Sequence, residues 1–518
     1  MFRGITLITL LSFTACFGCH RKPSSRKADD TLVFLIESSP TSLDPRIGID
    51  AQSEHIYALI FDGLVVRDAS YRFGPGLAES WDQPDPLTLV FHLRPNIHFQ
   101  DGRLLTSRDV LWTLNSMRDG TLITPKAASY ASVSSVTAPD PATVVLHLKQ
   151  PDNFLLGNLS TGAMGIVPED SGRDFWKNPV GTGVFRFVSQ EIDKEVVLER
   201  DPQSWENVAV PDEVQRLRFA VVPDAITRAL ELQKGSADVT SNALPPDMLP
   251  VLARQKTLKI DSVGGTMVQY LAFNTTDPTL RDARVRQAIA CAIDRELILK
   301  TLLAGRAKLA SSLLPERHWA WTGDVATYPY NPTRSEQLLD EAGYLPRANG
   351  IRLHLTMKTS TDDGTRLLAA TLQQELAKIG IQLDIRSYEA ATFIQDLTRG
   401  SFQMYSLRWV GGNEQPDIFS YAFSSSRIPP KGANRGRYRN PVLDALLDDA
   451  GRSTNQAQRK VDYIQAQKIL AQELPGFNLW YQDSILVHSS RLTQISISPS
   501  GSFDFLRTAK WLPESSLP

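Results

Sequence analysis

The run Trp409-Val410-Gly411-Gly412-Asn413-Glu414-Gln415-Pro416-Asp417 gathers an aromatic ring, two residues without side chains, amides and two carboxylates in a short span. Gly411 and Gly412 would let a ligand approach the backbone and use its N–H and C=O groups. Tyr270, shortly before Phe273-Asn274, and Trp480-Tyr481 add aromatic groups beside expected strand ends. Such a set suits capture of a small molecule by stacking and hydrogen bonding. It suits a hairpin turn packed around by core aromatics equally well, and the local sequence leaves both readings open.

Covalent chemistry finds less support. The chain has no phosphate loop ending in Gly-Lys-Ser/Thr, no nucleophile elbow, no His-Glu-x-x-His and no glycine fingerprint after a strand. Gly181-Thr182-Gly183 precedes an expected strand and reads as a turn, and Ser24-x-x-Lys27 falls in a polar tether. The eight histidines are scattered, with His92, His98, His147 and His354 in strand-like contexts that suit packing or exposure. Cys291 sits in an apolar helical run and reads as a small core residue. No catalytic residue, metal site or cofactor is therefore expected. A hydrolase remains an alternative of another class, because catalytic groups can be assembled from distant segments.

The 518 residues exceed what one core accommodates, and two or three lobes are expected at roughly 150 residues each. Apolar content of 42% and charged content of 22% are those of an ordinary folded protein. The net charge of −2, with both signs interspersed, gives no reason to expect nucleic acid. Met1-Phe2-Arg3 followed by the uncharged stretch to Ala15 has the form of a signal peptide and is too short for a permanent span. Ser12-Phe13-Thr14-Ala15-Cys16 resembles a bacterial lipobox, which makes Cys16 the expected lipidation site and Cys19 the weaker candidate. His20 to Asp30 is polar and reads as a tether.

These groups must be positioned by the elements that follow. Thr31–Ile36 reads as a buried strand, 53–64 as a helix and Thr88–Leu93 as a strand. Two hairpins are expected, one from 133–136 and 143–148 around Pro139-Asp140-Pro141, the other from 182–187 and 195–199. From Pro223 helices (225–234, 280–303, 364–378, 456–470) alternate with strands (258–263, 268–273, 352–356, 382–387, 403–409), the texture of α/β lobes. In the 280–303 helix Asp282 is placed as the N-terminal cap, and Gly305 as the C-terminal stop.

Taken in order, many segments resemble family 5 of the extracellular solute-binding proteins, the peptide/nickel-type binding components of ABC importers. They are Ser42-Leu43-Asp44-Pro45, Ile60 to Leu64, Leu77 to Trp81, Phe91 to Gly102, Thr106 to Val110 and Pro179 to Phe185. Val285 to Ile289, Ala292 to Arg295 and Leu338 to Tyr344 continue the series, so the likeness spans essentially the whole mature chain.

The resemblance implies an α/β, two-lobed periplasmic-binding-protein-like fold (type II, cluster C) with mixed sheets, a hinge of two crossovers and an extra β-rich subdomain. Its domains would be a signal peptide at 1–15, a lipidated tether at 16–30, lobe I at 31–268 and 482–518 with the extra subdomain at about 47–175, and lobe II at 269–481. The implied function is the substrate-binding component of an ABC importer, a monomer that captures short peptides or peptide-like solutes and is anchored to the membrane in the periplasm or cell envelope. A non-peptide solute, or presentation of the ligand to a receptor instead of a permease, are the alternatives; without a histidine cluster, nickel or haem-type ligands are less favoured. In peptide-binding members an aspartate three positions after a tryptophan like Trp409 pairs with the ligand's α-ammonium. Here that position is Gly412, followed by Asn413. Either Glu414 or Asp417 supplies the charge from a shifted loop, or the ligand is not held by a free amino terminus. Tyr270 matches a ligand-facing tyrosine of the oligopeptide binders, and Trp480 and Tyr481 match aromatics at the second crossover.

Overall fold

The computed structural model of the protein describes residues 31–68, 71–206, 213–409 and 415–512. Cys16, Cys19, Gly411, Gly412, Asn413 and Glu414 lie outside the described residues. One mixed sheet runs through the molecule. In chain order its strands are β1 (Thr31–Ile36), β2 (Phe185–Glu191), β3 (Glu195–Arg200), β4 (Arg216–Val221), β5 (Val239–Ser241), β6 (Leu258–Phe273), β7 (Ala307–Leu309), β8 (Leu353–Ser360), β9 (Ile381–Tyr388), β10 (Met404–Trp409) and β11 (Gly476–Ser489). They lie side by side as β9-β8-β10-β6-β11-β5-β1-β4-β3-β2, with β7 also paired to β11. β1 is parallel to β4 and β5, and β8 is parallel to β9 and β10.

β6 and β11 connect the two halves. They are antiparallel from Leu258↔Ser489 to Ala272↔Gly476. The expected strands 258–263 and 268–273 are thus one strand, not two. Gly264 and Gly265 read locally as a break, yet the ladder only shifts register between Val263 and Met267. A Cβ on Gly265 would lie 2.2 Å from the Gln482 carbonyl oxygen, so glycine is what lets the strands approach there.

Separate cores form on either side of this crossing. In the first lobe Phe34, Phe219, Phe503 and Phe505 pack together, with Phe34 and Phe503 ring centroids 4.4 Å apart. Full burial of each such ring contributes about 1.5–3 kcal/mol. In the second lobe Ile289, Leu339, Met357, Leu372, Leu383 and Leu479 form the core. A third core, with Leu77, Phe91, Leu114, Leu146 and Leu155, lies under a four-stranded antiparallel sheet ordered 78–85, 88–93, 143–148, 133–140. The two central strands, 88–93 and 143–148, alternate buried with more exposed residues, the mark of a sheet wet on one face.

The expected helix 280–303 is two helices, Ala283–Ala292 and Arg295–Leu302. Asp282 caps the first by accepting from the Arg284 N–H. Ile293 leaves helical geometry at φ −95°, ψ 114°, and Asp294 restarts it by accepting from the Leu297 N–H. Apolar spacing continues through the break, which hides it from periodicity. Gly305 takes a left-handed φ of 73°. Gly181 and Gly183 do form a close turn before β2, packed on the backbone of Ile60. Among the described residues no helix is long and apolar enough to cross a membrane.

Candidate ligand cleft

Antiparallel pairing of β6 with β10 sets Val268 opposite Trp409 and Tyr270 opposite Leu407. Tyr270 and Trp409 therefore project from the same face, and their rings stack at 5.7 Å with 17° between planes. Tyr405 meets Tyr270 edge-on at 6.0 Å, and Tyr421 meets Trp409 at 6.3 Å. Burial raises the pKa of both Tyr270 and Tyr405, with Arg435 opposing the rise, so both phenols stay protonated. Among the described residues the buried Arg435 Nε has no hydrogen-bond partner. Neutral O–H groups, a guanidinium and an aromatic stack thus share one face of the second lobe.

Tyr421 belongs to the helix Ile418–Phe423, which Asp417 immediately precedes. Asp417 makes no side-chain cap to that helix. Burial pushes its carboxyl up to about 6, the Asp152 carboxylate adds to the rise, and the Arg67 guanidinium opposes it. Arg67 and Asp152 flank the strands of the four-stranded sheet, so this is where that part of the fold meets the second lobe. Other contacts cross nearby. Asn153 donates from Nδ2 to the carbonyls of Gly451 and Ser453 at 2.8 and 2.7 Å. The Gln415 amide occupies the space where a Cβ on Gly157 would sit. The ring of Tyr71 lies 5.4 Å from that of His318. His318 is held neutral: burial drives its pKa down to about 4, and Arg67 and Arg459 act in the same direction.

The structure brings Tyr270, Trp409 and Asp417 to one region and separates Trp480 from them. Trp480 is 4% exposed and packs in the second-lobe core. Tyr481 is level with Val268 and Trp409 across three strands, but its hydroxyl donates to the Ser312 and Leu314 carbonyls at 2.8 and 2.5 Å. Arg67, Asp152, Asn153, His318 and Arg435 were not singled out from the sequence. No local motif marks them, because they meet only through the fold. Among the described residues no group of three His, Cys, Asp or Glu is placed to hold a metal ion.

Two lobes joined by a double strand crossing are the architecture of a protein that closes around a ligand. The family model described as bacterial extracellular solute-binding proteins, family 5 Middle, matches residues 72–430, and the chain belongs to this family. It is 28% identical over 479 residues to di/tripeptide-binding protein 1 of Pseudomonas aeruginosa, which covers 86% of this chain and 87% of that one. It is also 28% identical over 513 residues to heme-binding protein A of Haemophilus influenzae, covering 92% and 91%. Among solved structures, NikZ from Campylobacter jejuni in complex with Ni(L-His) superposes with a TM-score of 0.80 at 25% identity, over 93% of this chain and 99% of that one. DppA from Helicobacter pylori in complex with the peptide STSA gives 0.78 at 25% identity, over 93% and 98%. The chain is accordingly a solute-binding protein of the extracellular compartment, and not an enzyme.

Proposed function

We propose that this protein is the substrate-binding component of an ABC importer and encloses short peptides or peptide-like solutes between its lobes. One observation carries the reading. The Tyr270–Trp409 stack runs through Tyr421 to the helix that Asp417 precedes, and Asp417 lies within electrostatic reach of Asp152 and Arg67. A peptide offers complements to each: apolar side chains for the rings, an ammonium for the carboxylates, and amides for the phenols and Arg435. Asp417 takes the role that Gly412 cannot, since an arriving cation would offset the Asp152–Asp417 repulsion. The peptide-binding relatives support the substrate class.

In this reading lobe I comprises about 31–268 and 482–518, with a subdomain near 47–175, and lobe II about 269–481. Closing about the two crossings would favour the liganded form in proportion to its extra contacts. Lipidation of Cys16 would tether a monomer to the membrane beside its permease.

Isothermal titration with the dipeptide Ala-Phe, N-acetyl-Ala-Phe, Ni(L-His) and haemin tests this. Binding of the free dipeptide, with the acetylated form much weaker, is expected. Binding of haemin or Ni(L-His) alone would replace the peptide by another solute. Equal binding of both dipeptides would remove Asp417 from the amino-terminal role.

A further inference from the structure

A cavity of about 600 Å³ lies inside the second lobe, away from the inter-lobe junction. Phe419, Leu313, Leu470 and Phe477 give it an apolar lining, and its size falls within the usual range for small-molecule sites. One cation faces it. The Arg295 guanidinium lies 4.5 Å over the Phe477 ring, and its Nη1 donates to the carbonyls of Asn478 at 2.9 Å, Ala310 at 3.2 Å and Leu479 at 3.5 Å. Among the described residues Arg295 Nε and Nη2 donate to no acceptor, and no carboxylate forms an ion pair with this side chain.

Three acids also line the cavity, and each is engaged or exposed. Asp294 accepts the Leu297 N–H as a helix cap, Glu316 pairs with Lys308, and Glu296 is exposed to solvent. Burial pushes the Arg295 pKa down to about 10, with only a small opposing effect from Glu296, so the group stays charged while poorly compensated. A half-buried guanidinium with two unused donors in a fork is a receptor for a planar anion, which it would bind through parallel hydrogen bonds.

We propose that this cavity is a second binding site, for a small monocarboxylic acid with an aromatic or aliphatic body. The carboxylate meets Arg295 Nε and Nη2, and the body lies on Phe419, Leu313 and Leu470. The site is independent of the cleft. Between the two, a void of about 30 Å³ shares Leu313, Phe423, Gly476 and Asn478 with the cavity and ends on Tyr270 and Trp409. That space holds a water or so and admits no ligand.

Titration calorimetry with 3-phenylpropionate and its neutral amide tests the proposal on the purified protein. The acid is expected to bind, and the amide about tenfold or more weaker, since hydrogen bonds to charged groups carry the difference. Arg295→Gln is expected to erase that preference, Arg295→Lys to retain part of it, and Leu470→Trp to abolish binding by filling the cavity. Trp409→Ala is expected to leave it unchanged. If Arg295→Gln does not fold, the lysine and cavity-filling variants carry the test. Equal affinity for acid and amide, no binding of the acid, or loss of binding in Trp409→Ala with none in Leu470→Trp would overturn the assignment.

Discussion

The side-chain amide of Asn153 crosses the cleft to donate to the Gly451 carbonyl at 2.8 Å, and the same nitrogen reaches the Ser453 carbonyl at 2.7 Å. Gly451 lies in the last turn of the helix Pro441–Arg452, where carbonyls lack helical partners and carry partial negative charge. On the proposed lobe division Asn153 caps a helix of one lobe from the other, and opening of the lobes would break that cap. Asn153→Ala removes two hydrogen bonds of about 0.5–1.5 kcal/mol each. We expect ligand affinity to fall about 5- to 150-fold, and small-angle scattering to show a more open ligand-free protein. Unchanged affinity and scattering would show that closure needs no such latch.

On the proposed reading, in which Asp417 receives the ligand's ammonium, capture becomes pH-dependent. Its folded-state carboxyl titrates near 6 against an ordinary 3.8, so the folded protein holds this proton more tightly than the unfolded chain. The sign follows from linkage: no effect below about 3.8, a growing penalty on folded stability up to about 6, and a constant penalty above. Arg67, Asp152 and Tyr463 are the charged or titratable neighbours, and Tyr463 stays protonated because burial raises its pKa to about 12. An ammonium-bearing ligand needs the ionised form. Its affinity should weaken by up to about tenfold per pH unit below 6, read by titration between about pH 5 and 7.5. Asp417→Asn should flatten that profile and melt higher than the native protein at neutral pH, but not near pH 4.

Gly265 tests the strand crossing. A side chain there meets the Gln482 carbonyl oxygen at 2.2 Å, and that atom is backbone in a paired strand. Gly265→Val is expected to cost about 2–4 kcal/mol, measured as a lower urea midpoint. Gly264→Ala, with open space around its Cβ, is the matched control and should change little.

Asp44 and Arg46 form an ion pair excluded from solvent, at 0% and 1% exposure, with contacts of 2.7 and 3.0 Å. Arg46 also donates to the Ser171 carbonyl at 3.0 Å, tying the start of the chain to the region after the four-stranded sheet. Arg46→Met strands a buried carboxylate and should cost about 3–5 kcal/mol. The double change Asp44→Ala/Arg46→Met should recover part of that loss in urea melts, because no lone charge remains.

Legibility of the fold followed the range of the interactions involved. β1 and the helix Ala225–Lys234 end where the sequence indicates, since apolar runs, an Asp cap and a Gly stop are local signals. The break at Ile293 was hidden because both helices bury one continuous apolar stripe. The unity of β6 was hidden because two glycines signal a turn unless a partner strand is present to pair across them. Trp480 shows the same limit at the site: an aromatic beside a strand end reads alike whether it faces ligand or core.

By itself the sequence determined the family, the alternation of strands and helices, and the absence of a full charge at Gly412. Those properties reside in residue types at short spacing. Only the tertiary structure decided that Tyr270 and Trp409 stack and that Asp417 faces Asp152 and Arg67 across the lobe junction. It likewise decided that Asn153 caps a helix some 300 residues away. Each relationship joins groups distant along the chain, and their pKa values and hydrogen bonds are set by neighbours that strand pairing and lobe closure bring within a few ångströms.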